Sequence, residues 1–292
     1  MAEGSENPSV WDVCKTEGEG GTGNWRALRR SSDDLERAAE IWKQELGGVQ
    51  KAWLCWNMND KWCLLQQKLI LEAGWTPIVG WDPNSKPDGP GKLVSGSLAI
   101  DFNKHLKFPV LFPHVPMELA FLWADKLAFW HADLILTREK MRKAVNVFEN
   151  MNDGDVSAVF SYGGLRTLFK REEHRYWEVL GCITKSASAD MFKHGCGWWR
   201  HWAKNHLNAP LDEHQISYRR SFCWDHGGGV LFWSKEHKGR INKISEKFIK
   251  EGHFSVTSKR NYQKGDSKSA EMDINFDLEQ IAKRFGIVDL LA

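Results

Sequence analysis

His131 and Asp133, separated by one residue in the segment AFWHADLIL, are the clearest candidates for chemistry in the sequence. Polar residues two apart on a β-strand point to the same face, and here both interrupt an apolar run typical of a buried strand. A buried carboxylate is costly unless it is paired or binds a cation. The pair therefore predicts a site for Mn²⁺ or Mg²⁺. The alternative is that His131 hydrogen-bonds the backbone and Asp133 caps the next helix.

The segment WDHGGG, residues 224–229, is the second candidate. Its glycines permit close backbone approach and can present main-chain N–H groups to phosphate. We expect Gly227 and Gly228 to bind a donor phosphate, Asp225 to act as the catalytic base and His226 to contact the acceptor. The alternative is a tight turn, capped by Asp225, before a strand over VLFW.

Residues 161–264 form a basic, aromatic region in a chain whose net charge is only +2. The region carries nineteen Lys and Arg against ten Asp and Glu, which indicates an anionic partner. Aromatic faces beside cations suit stacking on a base or sugar and contact with phosphate. We expect such a surface to bind the acceptor, the alternative being a Trp-packed helix with solvated charges. The residues are Trp198, Trp199, Arg200, Trp202 and Lys204.

The elements that must position these residues alternate between strand and helix. Apolar runs suited to strands are AWLCWNM, TPIVGWDP, AFWHADLIL and VSAVFSY. Helical periodicity fits SSDDLERAAEIWKQELGG, DKWCLLQQKLILEAG, VPMELAFLWADKL and TREKMRKAVNVFENM. The pattern predicts an α/β fold, with a mixed, mostly parallel sheet flanked by helices. After residue 161 the periodicity fades, so we expect an irregular half rich in Trp, His and Gly.

The sequence predicts one catalytic domain over residues 25–292, behind a flexible tail at 1–24. Within the domain we expect a nucleotide-sugar-binding half at 50–160, an acceptor half at 161–264 and a C-terminal helix at 271–292. No apolar run reaches about 18 residues and no secretory signal is present, which favours a cytoplasmic or nuclear protein without a membrane partner. The six cysteines form no CxxC pair and are expected to be reduced thiols.

The order of helix, His-Ala-Asp strand and helix resembles the nucleotide-sugar glycosyltransferases of the GT-A fold, a Rossmann-like architecture. In that family an Asp-x-Asp motif ends a strand and binds the divalent metal that bridges the donor diphosphate. Asp133 matches the second Asp, and His131 replaces the first. The resemblance implies that Lys126 and two residues near the strand ends, Asn57 and Asp82, bind the donor, most simply a UDP-sugar.

The resemblance also implies a late histidine that completes the metal and diphosphate site. His253, in GHFS, has the matching place in chain order, and His237 is a competing candidate. Lys259 would then contact the donor. The metal would stabilise charge on the leaving diphosphate while Asp225, with Asp133 at the metal, serves the catalytic step.

The function that we expect is transfer of a sugar from a nucleotide sugar to a hydroxyl. The Trp-rich segments WHADLIL and GCGWW are similar to glycosyltransferases associated with thymine and methylcytosine dioxygenases (TET/JBP), which implies hydroxymethylated pyrimidines in DNA as the acceptor. The alternatives are a saccharide or protein acceptor and a non-catalytic nucleic-acid-binding protein. No GxSxG elbow, Walker A loop or HExxH helix occurs.

Overall fold

The computed structural model describes residues 32–83, 86–106, 111, 113–161, 175–194, 196–198, 227–254 and 277–291. In this part of the chain seven strands form one sheet in the order β3-β2-β1-β4-β6-β5-β7. The strands are β1 Lys51–Trp56, β2 Thr76–Gly80, β3 Leu98–Ile100, β4 Lys126–Trp130, β5 Asp155–Ser161, β6 Arg175–Thr184 and β7 Arg240–Ser245.

The sheet is mostly parallel, as the alternation of strands and helices predicts. Strands β3, β2, β1 and β4 pair in parallel, and β5 pairs in parallel with β7. Strand β6 lies antiparallel between β4 and β5. Because the chain order reverses between β1 and β4, a crevice is expected outside the carboxyl ends of those two strands.

Helices cover both faces of the sheet and make a three-layer α/β/α arrangement. Strand β1 is buried from Ala52 to Trp56, with successive side chains entering the two opposite cores. The helices are α1 Ser32–Glu45, α2 Asp60–Glu72, α3 His114–Glu118, α4 Ala120–Trp123, α5 Arg138–Glu149, α6 Lys185–Lys193, α7 Gly228–Glu236, α8 Glu246–Ile249 and α9 Leu278–Phe285. No helix in the described ranges has the length and apolarity to cross a membrane.

One core contains α1, α3, α4, α6 and α7, and the other contains α2, α5, α8 and α9. Side-chain caps explain where several helices begin. Asn59 accepts from the backbone N–H of Lys61 and Trp62 at the start of α2, and Thr137 accepts from that of Lys140 at the start of α5. Gly286 ends α9 in the left-handed region, at φ 66°.

The predicted helix over 115–127 is wrong in its length and end. The segment forms the short helices α3 and α4, and Ala124 is already extended. Lys126 therefore begins a strand, contrary to its expected place on the helix. The reason is tertiary: β4 pairs with β1 on one side and with β6 on the other, so residues with good helix propensity are taken into the sheet.

Two further expectations for the later half need correction. Residues 175–184 form β6, a ten-residue strand within the sheet, where the sequence indicated irregular structure. VLFW lies in helix α7 and is not a strand. Within the C-terminal helix expected at 271–292, residues 278–285 form α9, which ends at Gly286, and a short 3₁₀ helix follows at Val288–Leu291; residues 271–276 and 292 lie outside the described residues.

Candidate metal centre

His131, Asp133 and His253 meet at one edge of the sheet. One ligand atom from each lies within 4.8 Å of the others, making this a group that could hold a metal ion. His131 Nδ1 is 3.3 Å from His253 Nε2 and 3.7 Å from Asp133 Oδ1. His253 Nε2 is 3.4 Å from the same carboxylate oxygen. Two imidazole nitrogens and a carboxylate oxygen converge as the ligands of a divalent transition metal do.

His131 and Asp133 meet across a turn, which corrects the expected shared strand face. Strand β4 ends at Trp130, and the backbone N–H of Leu134 donates to the carbonyl of His131 at 3.1 Å. The N–H of His131 still donates to Val179 of β6 at 3.0 Å. The alternative cap is not seen either, because Thr137 caps α5.

Gln66, fully buried on α2, hydrogen-bonds to the backbone of this turn. Its side-chain Nε2 donates to the carbonyls of His131 and Leu134, each at 2.9 Å. Its Oε1 accepts from the thiol of Cys55 on β1 at 3.3 Å. One amide thus ties the turn to the first strand and the first crossover helix.

The segment containing His253 pairs with the same turn as a short antiparallel bridge. The N–H of Phe254 donates to the carbonyl of Asp133 at 3.1 Å, and the N–H of Ile135 donates to that of Gly252 at 3.0 Å. A Cβ on Gly252 would lie 1.9 Å from the carbonyl oxygen of Ile135. Glycine is required there, and the close backbone contact brings His253 to the turn.

A second carboxylate approaches His131 from the other side. Glu178 Oε1 on β6 lies 3.4 Å from His131 Nε2 and 3.6 Å from His114 Nε2. Burial lowers the pKa of His131, and the Asp133 carboxylate offsets part of that effect. Burial lowers the pKa of His114 well below 6.5, helped by repulsion from His131. The neutral imidazole form, which binds metals, is therefore favoured at both residues.

The residues expected to bind the donor at the ends of β1 and β2 are both buried at the same edge. Asn57 follows β1, and the pairing of β1 with β4 brings it level with the turn at 131–133. Asn57 Nδ2 donates to Asp60 at 2.8 Å and to the carbonyl of Pro90 at 2.6 Å. Its Oδ1 is buried without a hydrogen-bond partner among the described residues. Asp82 follows β2 and accepts at its carbonyl from Lys86.

Asp60, next to Asn57 at this end of the sheet, forms an ion pair with Lys86. Lys86 Nζ lies 2.9 Å from Asp60 Oδ1. Partial burial raises the pKa of Asp60, but hydrogen bonds from Asn57 and Lys86 outweigh that effect, so its pKa is lowered. An ionised carboxylate and a cation therefore flank Asn57.

Lys126 lies at the opposite end of β4 from the metal ligands, about 16 Å away along the strand. Its ammonium donates to the carbonyls of Phe148, Glu149 and Met151 at the end of α5. These contacts give Lys126 a role in capping α5, and they do not support the expected donor contact.

Gly227 and Trp198 pack against each other and against the sheet. Gly227 has φ 84°, and a Cβ there would lie 1.7 Å from the carbonyl oxygen of Tyr176, so its close approach is to the protein's own backbone. Its N–H donates to the carbonyl of Trp198 at 2.9 Å and is not directed at a phosphate. Gly228 is the first residue of α7. Trp198 is 2% exposed and packs edge-on against Phe129, which contradicts its expected stacking on an acceptor base.

His237, the competing metal candidate, stacks on His194 at 3.8 Å and does not join the group at His131. Cys55, Cys63, Cys182 and Cys196 are buried, and none of these four forms a disulfide among the described residues. Seven expected site residues lie outside the described residues: Trp199, Arg200, Trp202, Lys204, Asp225, His226 and Lys259.

Three residues at the site were not expected from the sequence. Glu178 carried a usable signal, since a carboxylate inside the apolar run YWEVLGCI is the same kind of anomaly as Asp133. Gln66 and His114 carried none, because a glutamine in a helix and a histidine before a helix are ordinary.

No protein-family model, curated protein or solved structure matches this chain.

Proposed function

We propose that the protein is a divalent-metal-dependent glycosyltransferase that takes its sugar from a nucleotide-sugar donor. The observation that carries the proposal is the position of His131, Asp133 and His253. They lie outside the carboxyl end of β4, beside β1, where the strand order reverses and open α/β sheets bind nucleotides.

The donor set fits Mn²⁺, and Mg²⁺ less closely, because two nitrogens and one carboxylate oxygen suit a borderline transition metal. Asp133 is 5% exposed, so a cation would offset the cost of its burial. When bound, the metal would neutralise charge developing on the leaving diphosphate. The chain's own contribution is to hold two ligands on one turn and the third on the segment that pairs with this turn.

Asn57 supports the placement of a nucleotide at the adjoining strand end. A buried acceptor without a donor is uncommon and is usually satisfied by a ligand or water. An N–H or O–H of a nucleobase or ribose would satisfy Asn57 Oδ1. Asp82, buried at the end of the next strand, offers a carboxylate to the same ligand. The proposed GT-A arrangement thus spans β2, β1 and β4.

We further propose that the acceptor is a hydroxymethylated pyrimidine in DNA, with Asp225 as the base. This part of the proposal depends on the sequence of the basic, Trp-rich segment. Trp199 is the residue of that segment chosen to test it. Since Trp198 is buried, base stacking would fall to Trp199 or Trp202.

Replacement of Asp133 by Asn tests the metal site. Loss of a group that only orients a ligand typically costs 10–100-fold in metal affinity, so loss of a ligand should weaken Mn²⁺ binding by roughly 100-fold or more. Asp155→Asn is the matched control, because Asp155 is equally buried but pairs with Arg240 at the opposite edge of the sheet. Binding is measured by electron paramagnetic resonance of free Mn²⁺. Equal affinities for wild type and Asp133→Asn would refute the site.

Donor and acceptor are tested separately. Thermal shifts with a panel of sugar nucleotides, with and without Mn²⁺, should show metal-dependent stabilisation by one nucleotide class. Fluorescence anisotropy should show DNA binding that weakens steeply with salt and on Trp199→Ala. Mass spectrometry of nucleosides should then detect a sugar adduct. Absence of DNA binding at low salt would favour a saccharide or protein acceptor, and binding without an adduct a non-catalytic protein.

The ligand set favours one other candidate function, a non-haem Fe(II) oxygenase. Two histidines and one carboxylate with open positions are the usual Fe(II) ligands of that class. The position at the strand-order reversal favours the transferase. Oxygen consumption dependent on Fe(II), without any stabilisation by sugar nucleotides, would reverse that preference.

A further inference from the structure

Glu178 faces the nitrogen of His131 that points away from the proposed metal. His131 Nδ1 faces His253 and Asp133, whereas His131 Nε2 lies 3.4 Å from Glu178 Oε1. The two nitrogens of one ring therefore meet different carboxylates. This is the arrangement in which a metal-binding histidine donates its other N–H to a carboxylate.

Glu178 is buried next to the residue of β6 that contacts the backbone of His131. Its side chain is 8% exposed, and it lies where the register between β5 and β6 shifts, two residues from Leu180, which pairs with Trp130 of β4. The N–H of His131 also donates to the carbonyl of the next residue in β6, Val179. The backbone of His131 and its ring thus contact the same strand, which restricts both the position and the rotation of the ring.

The buried carboxylate of Glu178 lies between two imidazoles. His114 Nε2 lies 3.6 Å from the same Oε1 that faces His131. His114 is 4% exposed and belongs to α3, on the side of the sheet opposite α2. A carboxylate flanked by two imidazole N–H groups can remain buried, whereas one without donors would not.

We infer that Glu178 is a positioning residue that accepts the Nε2 proton of His131 and so leaves the Nδ1 lone pair directed at the metal position. The inference rests on the metal site of the proposed function. The separation of 3.4 Å exceeds the usual 2.7–3.2 Å of an N–H···O hydrogen bond, so the contact should tighten by about 0.5 Å when the ligand is engaged. Loss of such a partner typically weakens metal binding 10–100-fold.

The first experiment needs no metal. Long-range ¹H–¹⁵N spectra of ¹⁵N-histidine-labelled protein report which nitrogen of each neutral ring carries the proton, and His131 is assigned by loss of its signals in His131→Gln. We expect the Nε2–H form in the wild type. In Glu178→Met, which removes the acceptor at similar length, we expect a mixture of both forms. A wild-type His131 protonated at Nδ1 would overturn the inference.

The second experiment measures Mn²⁺ and Co²⁺ affinity by competition with a chelator. Glu178→Met should bind 10–100-fold more weakly, and Glu178→Gln, which retains a carbonyl acceptor, should lose less. Asp155→Asn controls for general destabilisation, and a changed Co²⁺ absorption spectrum would mark altered ligand geometry. A Glu178→Met affinity within twofold of wild type would refute the positioning role.

The two proposals fail in different ways. If the wild type binds no divalent metal, the proposed metal-dependent function fails, while the protonated nitrogen of His131 still decides whether Glu178 orients the ring. If the wild type binds metal and Glu178→Met binds equally well, only the role of Glu178 is lost.

Discussion

Replacing Gln66 by Met should loosen the turn that carries two of the proposed metal ligands. The amide of Gln66 donates to the carbonyls of His131 and Leu134, each at 2.9 Å, and more distantly to that of Ala132 at 3.4 Å. Met fills a similar volume but cannot donate. The carbonyl of Leu134 then loses this donor, whereas that of His131 still accepts from the N–H of Leu134. A buried polar group left unsatisfied costs about 1–3 kcal/mol, and the contact with Leu134 is fully buried.

The expected loss of unfolding free energy is about 1–3 kcal/mol, since the fully buried carbonyl of Leu134 loses its donor while that of His131 keeps a backbone one. For a domain of this size that corresponds to a melting temperature lower by roughly 2–12 °C. Because the turn also holds Asp133, we expect Mn²⁺ affinity to fall by about 10–100-fold, as for other supporting residues.

The neighbouring Gln67 provides a matched control on the same helix. It is equally buried, but its side-chain Nε2 donates to the carbonyl of Lys92 at 3.2 Å, and its Oε1 accepts from the N–H of Val94 at 3.0 Å. Gln67→Met should therefore lower stability by a similar amount and leave metal affinity unchanged. Calorimetry and Mn²⁺ titration of both variants check this. If the two variants lose metal affinity equally, or neither does, the specific role of Gln66 is refuted.

Two further outcomes are expected. Gly252→Ala should weaken Mn²⁺ binding about tenfold or more, because its Cβ would meet the carbonyl of Ile135 and displace His253. Gly74→Ala is the control, because open space surrounds its Cβ, and it should not weaken Mn²⁺ binding. Equal Mn²⁺ affinities for the two variants would contradict this. Since burial lowers the pKa of His114, the folded state binds fewer protons there than the unfolded state, and stability should fall as pH drops below about 6.5, by up to about 1.4 kcal/mol per pH unit. Urea unfolding from pH 7.5 to 5.5 measures this slope, which should be shallower in His114→Asn; an unchanged slope would assign the effect elsewhere.

The α/β architecture followed from the sequence because its first half is locally consistent. Helix α2 has a cap at Asn59, an apolar face and a terminal glycine, and β1 is an uninterrupted apolar run. Such elements need little tertiary information. Strand β6 was missed because its alternation is obscured by Glu178 and by Gly181, and its place between β4 and β5 is fixed only by long-range pairing.

The sequence predicted the proposed metal ligands, but the structure brings them together in a different way from the shared strand face that the sequence suggested. Asp133 was anomalous as a carboxylate in an apolar run, and that anomaly was sufficient to identify it. Its meeting with His131 depends on a turn, and its meeting with His253 depends on backbone pairing around Gly252, neither of which has a local signal. Trp198 shows the opposite failure, because composition cannot tell a buried tryptophan from an exposed one.

His253 lies 122 residues after His131, and this separation affects the order of events during synthesis. At about 5–20 residues per second, a ribosome needs roughly 6–24 s to pass from the first histidine to the second. During that interval, of the three proposed ligands, the nascent chain contains only His131 and Asp133. An ion held by all three residues can bind only after His253 has been synthesised and its segment has paired with the turn, so it would be acquired from the metals available where that folding step occurs.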